Sequence, residues 1–244
     1  MRESRVQRCG HRNLFFFLYF YGNHGQQTRS PILFRVGFMD IYNRQKSLNL
    51  SVPESATVIG CGGVGSWVAL DLALVGVKKL VLIDPDTVED TNLNRTPFKL
   101  QHINQPKVNS IAEIIYERRS DTEVIALQKK FEDLNSIEYD LVKNTEIIVD
   151  CRDSSEPLPE EISKKVKIIG GYDGFKVTIH INPNYQNIWG DEPTTYTITP
   201  SFLVPPQFLA CLIVLYICLN LNLPEKIVNL DLSNLFSLLG ASGH

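Results

Sequence analysis

The sequence lacks the features that define several protein classes. Its five cysteines form no C-x-x-C pair, so the paired thiolates of a structural zinc site are missing and no zinc is expected. Because the cysteine count is odd, a disulfide framework is disfavoured and a reducing, cytoplasmic setting is favoured. The longest apolar run, residues 208–219, has only 12 residues. A membrane-spanning helix needs roughly 18 to 20 residues, so the run predicts a buried or dimer-facing helix and no membrane partner.

Basic charge is scarce outside the N-terminal region. Residues 1–38 hold six of the 24 Lys and Arg residues and one of the 27 Asp and Glu residues. Residues 39–244 therefore have 18 basic and 26 acidic residues, a net charge of −8, which argues against nucleic-acid binding. Residues 1–38 also lack the period of a core element, so we predict that they are a disordered or non-native extension. Residues 39–244 are predicted to form a single α/β domain.

A glycine-rich turn separates a short apolar run from an apolar segment long enough for a helix. Residues 56–59 predict a buried strand, and residues 66–75 predict a helix. Glycines between the two would let a ligand phosphate approach the backbone at the positive end of the helix. The glycines of this predicted phosphate site are Gly60, Gly62, Gly63 and Gly65.

A second predicted strand, residues 80–83, ends at Asp84. This aspartate lies 19 positions after Gly65, where a nucleotide-binding βαβ unit has its ribose-binding carboxylate. A glycine turn of this kind also occurs for packing reasons alone, so the remaining residues decide between the two interpretations.

Helices and strands alternate along most of the chain. Further strands are predicted at 123–127, 146–150 and 167–171, with helices at 108–119 and 205–222. Residues 175–181 and 227–232 predict antiparallel strands, and residues 182–200 predict a loop that could cover a substrate. The pattern predicts a doubly wound, mostly parallel sheet of Rossmann type with an antiparallel C-terminal extension. Its ligand crevice would lie at the carboxyl ends of the strands.

Charged and amide side chains follow the ends of the predicted strands and suit a triphosphate better than a nicotinamide. Any one of them could be a solvated loop group. Together, Arg95 and Lys107 could neutralise phosphate charge, and Asp153 could hold Mg²⁺. A nicotinamide cofactor would need only the first of the acids. The full set comprises Asp84, Asp86, Asn92, Arg95, Lys107 and Asp153.

These motifs resemble the ubiquitin-activating-enzyme-like superfamily, the ThiF/MoeB-type adenylyltransferases, over about residues 42–219. The resemblance implies that residues 60–65 bind ATP, that Asp84 binds its ribose, and that Asp153 holds Mg²⁺. Residues 92–95, Asn-Leu-Asn-Arg, correspond to a family signature, and Lys107 corresponds to the family lysine. The implied activity is adenylation of a carboxylate with release of pyrophosphate.

An N-terminal arm extends the resemblance. Residues 42–45, Tyr-Asn-Arg-Gln, look like the family signature whose arginine, here Arg44, reaches the ATP of the other subunit in a homodimer. Residues 199–201, Thr-Pro-Ser, are also similar to the family. No cysteine lies between Cys151 and Cys211, where relatives that form thioesters keep their acceptor, and this departure argues against a thioester step.

The sequence therefore predicts an ATP-dependent adenylating enzyme whose acceptor is the C-terminus of a small ubiquitin-like or sulfur-carrier protein, or a peptide. Two alternatives remain open at this stage. A nicotinamide-dependent oxidoreductase would explain residues 60–84 but would leave Arg44, Arg95, Lys107 and Asp153 without a role. A noncatalytic scaffold would bind nucleotide without supporting pyrophosphate exchange.

Overall fold

A computed structural model describes residues 40–153, 156–183 and 200–235. The predictions for residues 1–38, and for most of the loop at 182–200, fall outside these described residues. Contacts divide the chain into two units, Met1–Ser47 and Leu48–His244. Residues 41–45 form turns that lead into a 3₁₀ helix, Lys46–Leu48, which includes the last two residues of the first unit. The described part of the N-terminal arm therefore contains turns and a short 3₁₀ segment.

The second unit contains one seven-stranded sheet with helices between its strands. The strands are β1 (Ser55–Ile59), β2 (Lys79–Ile83), β3 (Glu123–Leu127), β4 (Ile147–Asp150), β5 (Val166–Asp173), β6 (Lys176–Ile181) and β7 (Lys226–Asp231). The helices are α1 (Gly63–Val75), α2 (Lys107–Tyr116), α3 (Ser136–Lys143), α4 (Glu160–Ser163) and α5 (Val204–Cys218). None of the helices in the described ranges is both long enough and apolar enough to span a membrane.

The strand order is β3-β2-β1-β4-β5-β6-β7. The first five strands in this order, β3, β2, β1, β4 and β5, pair in parallel. Strands β6 and β7 pair antiparallel and extend the sheet beyond β5. This confirms the predicted mostly parallel sheet with its antiparallel C-terminal extension. Because the chain moves outward from β1 through β2 to β3 and then returns beside β1 as β4, the order reverses between β1 and β4. Ligand crevices of open α/β sheets form at such a switch point.

Apolar side chains cover both faces of the sheet. One core joins the sheet to α1, α2 and α5, and includes Leu72, Ile111 and Ile213. A smaller core on the opposite face contains Phe131 and Ile162. Parallel strands covered on both faces are expected to be near-continuous apolar runs, and β1 and β2 are each buried along four of five residues. The central strands are thereby fixed, and with them the positions of the loops that follow.

Local signals set the ends of the helices. Gly76 has a φ of 115°, and its N–H bonds to carbonyls of the last turn of α1, as in a left-handed C-cap. Helix α5 ends earlier than the predicted residue 222, because Asn220 adopts a φ of 47°. Helix α3 was missed by the sequence analysis, although Asn135 and Glu138 form a reciprocal capping box at its start.

Candidate functional site

The glycine loop is packed tightly on its protein side and open on the other. Gly60 has a φ of 86°, and a Cβ there would lie 2.7 Å from the Cys151 carbonyl oxygen. A Cβ on Gly65 would lie 1.8 Å from the carbonyl oxygen of Gly60. A Cβ on Gly62, by contrast, would meet no atom within 4 Å. Gly60 and Gly65 are therefore required for packing, whereas Gly62 borders open space.

The open space lies at the N-terminus of α1. Gly62 is the N-cap of this 13-residue helix, and no side chain caps it. The first N–H groups of a helix have no partner within the helix, and together with the helix dipole they favour an anion. Phosphate binding at this terminus stays a prediction, and the geometry leaves space for it above Gly62.

Asp84 joins the end of β2 to the glycine loop. One carboxylate oxygen accepts the Cys61 N–H at 2.6 Å, and the other accepts the Asp86 N–H at 2.9 Å. Asp84 is only 5% exposed, and burial raises the pKa of its carboxyl group, against the lowering effects of Lys107 and of the two backbone hydrogen bonds. Its two oxygens each keep a second lone pair that can accept a hydrogen bond from a ligand hydroxyl. Asp84 thus supports the loop in addition to its predicted ligand role.

Lys107 begins α2 and is held close to Asp84. Its ammonium pairs with the Asp86 carboxylate at 2.8 Å, and its N–H bonds to the Asp86 carbonyl at 3.0 Å. The Lys107 side chain is 12% exposed, whereas that of Asp86 is 62% exposed. A lysine held in this way is a fixed positive charge beside the glycine loop, and its exposed partner Asp86 can give way to a ligand.

The Asn-Leu-Asn-Arg segment forms a turn that places Arg95 over α1. The buried Asn92 accepts the Glu89 N–H through its side chain at 3.0 Å, and its carbonyl accepts the Arg95 N–H at 3.2 Å. Trp67 of α1 donates its indole N–H to the Arg95 carbonyl at 2.9 Å. The Arg95 guanidinium donates to the Thr91 carbonyl and to the Asn94 side chain. Asn92 is therefore a structural residue of this turn, and Arg95 lies near the first turns of α1.

The segment after β4 closes the other side of the loop. The Cys151 N–H bonds to the Ile59 carbonyl at 2.7 Å, which holds this segment against the end of β1. Arg152 pairs with Asp150 at 3.0 Å and with Glu132 at 3.1 Å. Asp153 follows as an exposed residue that forms no ion pair with any described residue. The packing role of Cys151 was not predicted, because it depends on the pairing of β1 with β4.

Tyr172 borders the crevice from β5. A Cβ on Gly63 would lie 2.4 Å from the Tyr172 hydroxyl, and this hydroxyl accepts a hydrogen bond from the Ser201 side chain at 3.2 Å. The Ser201 carbonyl in turn accepts the Asn94 side chain at 3.1 Å. The predicted Thr-Pro-Ser segment is therefore tied, through Ser201, to the turn that presents Arg95. Its Thr199 lies outside the described residues.

The structure brings most of the predicted residues to the carboxyl ends of neighbouring central strands. The four glycines, Asp84, Asp86, Lys107, Asn92, Arg95 and Asp153 all follow β1, β2 or β4, which are neighbours in the sheet. Arg44 belongs to the other unit of the chain, where it is exposed. Cys61 is buried and Cys151 is half-buried, and desolvation raises the pKa of each thiol. Neither thiol is therefore prepared to act as a nucleophile.

The fold and the loop together define an α/β protein with a glycine turn at the switch point of its sheet. Residues 41–164 match the ThiF family. The chain belongs to this family, as the sequence motifs implied.

Curated relatives match part of the chain. The NEDD8-activating enzyme E1 catalytic subunit of Schizosaccharomyces pombe is 36% identical over 115 residues, which are 47% of this chain and 25% of the relative. The adenylyltransferase and sulfurtransferase UBA4 of Yarrowia lipolytica is 28% identical over 133 residues, covering 54% of this chain and 31% of the relative. The tRNA threonylcarbamoyladenosine dehydratase of Bacillus subtilis is 41% identical over 76 residues, 31% of this chain and 30% of the relative. The chain thus spans about a quarter to a third of the length of these relatives.

Solved structures share the fold at lower identity. PaaA aligns with a TM-score of 0.58 at 20% identity, covering 74% of this chain and 61% of PaaA. Escherichia coli MccB, in a structure with MccA-N7isoASN, aligns with a TM-score of 0.56 at 20% identity, covering 73% of this chain and 64% of MccB. These likenesses establish the fold.

Proposed function

We propose that this protein catalyses ATP-dependent adenylation of a carboxylate. The observation that carries this function is the uncapped N-terminus of α1, open above Gly62 and flanked by Asp84, Lys107 and the loop after β4. Backbone N–H groups at this terminus would bind phosphate, and Asp84 would accept hydrogen bonds from a ribose. The curated relatives named as activating enzymes and adenylyltransferases support the same reaction.

The reaction needs positioned charge more than a protein nucleophile. The carboxylate oxygen of the acceptor attacks the α-phosphorus of ATP, and the bond to the departing pyrophosphate breaks. Lys107 and Arg95 would stabilise the negative charge that moves onto the phosphate oxygens. The exposed carboxylate of Asp153 would hold Mg²⁺, whose chemistry here is charge neutralisation between phosphates. This site is expected to lose activity when any of these three charges is removed.

The acceptor that we propose is the C-terminus of a small ubiquitin-like or sulfur-carrier protein, or a peptide. The names of the relatives support this class: one activates NEDD8, and the MccB structure contains MccA-N7isoASN. A thioester step is not part of the proposal, because the two thiols beside the loop, those of Cys61 and Cys151, have pKa values raised by desolvation. A cytoplasmic location remains a prediction from cysteine usage.

We also propose that the active protein is a homodimer in which Arg44 of one subunit reaches the phosphates bound by the other. Helix α5 contains no charged residue, yet Val204 and Leu215 within it and Leu219 directly after it are each 46–50% exposed. A helix that is apolar all round is normally buried all round. A second copy of the chain is the occupant that we propose for this face, because identical apolar stripes complement one another across a two-fold axis.

The decisive experiment is ATP–pyrophosphate exchange with the purified full chain and a panel of carboxylate acceptors. Incorporation of labelled pyrophosphate into ATP that depends on Mg²⁺ and on one acceptor would support adenylation. Binding of NAD in place of Mg-ATP in a calorimetric titration would instead favour the oxidoreductase alternative. ATP binding without exchange for any acceptor of the panel would favour a noncatalytic scaffold.

A further inference from the structure

Strand β3 forms one edge of the sheet, and half of its backbone groups point away from the other strands. The Glu123 N–H bonds to the Lys78 carbonyl at 2.7 Å, on the side of β2. Because N–H and C=O groups alternate in direction along a strand, those of Val124 and Ala126 point outward. A row of outward-pointing groups is a template on which another strand can pair.

One side chain already occupies part of this edge. The Tyr116 hydroxyl accepts the Val124 N–H at 3.1 Å and donates to the Val124 carbonyl at 3.3 Å. These are the two hydrogen bonds that an added strand would make at this residue. The corresponding N–H and C=O of Ala126 bond to no residue in the described ranges. Tyr116 is itself 53% exposed, so its ring can turn aside without leaving a cavity in the core.

A groove of about 630 Å³ runs along this edge, between β3 and α2. Its floor is apolar, formed by Ala112, Val124 and Ala126, and its rim contains the acids Glu113 and Glu117 with no basic residue among the lining side chains. Glu117 pairs with Lys99, whereas Glu113 receives a hydrogen bond from Gln101 at 2.8 Å and faces His102 at 3.5 Å. The groove therefore offers an apolar floor, strand-pairing groups and, at Glu113, a carboxylate that pairs with no Lys or Arg among the described residues.

We propose that the outer edge of β3 binds an extended, positively charged segment of a partner protein, which adds to the sheet as a further strand. Backbone hydrogen bonds to Val124 and Ala126 would supply affinity, alternate apolar side chains would contact the groove floor, and a Lys or Arg would face Glu113. A second copy of this chain is disfavoured as the occupant. Antiparallel pairing of two β3 edges about a two-fold axis would bring the same acidic rims together, and like charges repel.

The test uses a labelled peptide, Lys-Val-Thr-Val-Thr-Val-Lys, titrated with the full chain by fluorescence anisotropy, beside a peptide with Glu in place of both Lys. The unmodified chain should bind the Lys peptide at least about tenfold more tightly than the Glu peptide. Ala126→Pro removes the outward N–H and leaves the bonds to β2 in place, so it should weaken binding by about tenfold or more. Ala126→Val is the matched control, since it keeps the N–H. Tyr116→Phe should tighten binding, because it releases the Val124 groups.

Further controls separate this site from the glycine loop. Pyrophosphate exchange should be unchanged in Ala126→Pro, whose folding is checked by thermal unfolding. If Ala126→Pro does not fold, the Glu113→Lys variant is the deciding test. Loss of the preference for the Lys peptide in Glu113→Lys would support binding at the β3 edge, and an unchanged preference would overturn it. Equal binding of both peptides, or binding by Ala126→Pro like that of the unmodified chain, would also overturn it. The proposal would also be overturned if the unmodified chain formed a dimer that Ala126→Pro abolished, because a second copy of the chain would then occupy the β3 edge.

Discussion

Replacing two glycines of the same loop by alanine should have opposite consequences. In Gly65→Ala the new methyl group would start 1.8 Å from the Gly60 carbonyl oxygen, so the two backbone segments must separate by roughly 1.5 Å to restore ordinary contact. Overpacking usually costs about 1 to 3 kcal/mol. Because both contacting groups here are backbone, we expect the free energy of unfolding to fall by about 3 kcal/mol or more.

Gly62→Ala is the matched control for folding and the sharper test of function. Its methyl group would meet nothing within 4 Å, and its φ of −78° is open to alanine, although its ψ of −145° lies beyond the usual β range. Loss of glycine at this N-cap should cost about 1 to 2 kcal/mol, less than in Gly65→Ala. The methyl group would nevertheless enter the space where a phosphate must approach the backbone. We expect ATP affinity to fall about tenfold or more, a loss of about 1.4 kcal/mol of binding free energy.

Denaturant unfolding followed by circular dichroism measures the first quantity, and calorimetric titration with Mg-ATP measures the second. The reasoning fails if Gly62→Ala binds ATP as tightly as the unmodified chain, because the open space would then not be the phosphate site. It also fails if Gly65→Ala unfolds at the same denaturant concentration as the unmodified chain, because the loop would then not be packed as described.

Three further predictions concern charge. Pyrophosphate exchange should fall by about 100-fold or more in each of three variants, Lys107→Ala, Arg95→Ala and Asp153→Ala. Thermal unfolding should change less. Normal exchange in Asp153→Ala would refute the assignment of Asp153 as the Mg²⁺ ligand. Mixing Arg44→Ala with Asp153→Ala subunits should restore exchange, since a mixed dimer would have one intact site, whereas background activity despite demonstrated subunit exchange would exclude a shared site. Burial raises the pKa of Asp71 from 3.8 to about 6; the folded state therefore loses stability as pH rises from about 4 to 6. Asp71→Asn should stabilise the protein by up to about 3 kcal/mol at pH 7.5 and not at pH 3.5, and equal gains in urea unfolding at both pH values would contradict this.

Much of the fold followed from the sequence because its central strands are short, apolar and buried. Strand β3 was predicted with the bounds that the structure shows, residues 123–127, and β1 and β2 within one residue. Helix α3 was not predicted, because only Val142 of its eight residues is buried and an apolar period is therefore weak. Helix α1 begins three residues before the predicted start, since Gly63 and Gly65 adopt helical geometry within the loop.

The places of the candidate site residues at the ends of the strands were predictable, whereas the contacts that support them were not. Sequence spacing located Asp84 after β2, but its hydrogen bond to the Cys61 N–H joins residues 23 positions apart. That contact exists because β1 and β2 pair in register, Ile59 opposite Ile83, so that the loops after them meet. Likewise, the contact between Gly60 and Cys151 depends on β4 lying on the other side of β1. Strand order is a property of the whole sheet, and no local pattern specifies it.

The position of Asp84 limits what its substitution can reveal. Its two oxygens accept the N–H groups of Cys61 and Asp86, so Asp84→Ala would leave two backbone donors unpaired near the loop, at about 1 to 3 kcal/mol each. Loss of ATP binding in that variant would follow equally from a displaced loop and from a missing ribose contact. Gly62→Ala does not have this ambiguity, because it leaves every hydrogen bond of the loop in place and changes only the space above it. The glycine whose added methyl group would meet no protein atom within 4 Å is therefore a more informative probe of the proposed nucleotide site than the carboxylate that the motif emphasises.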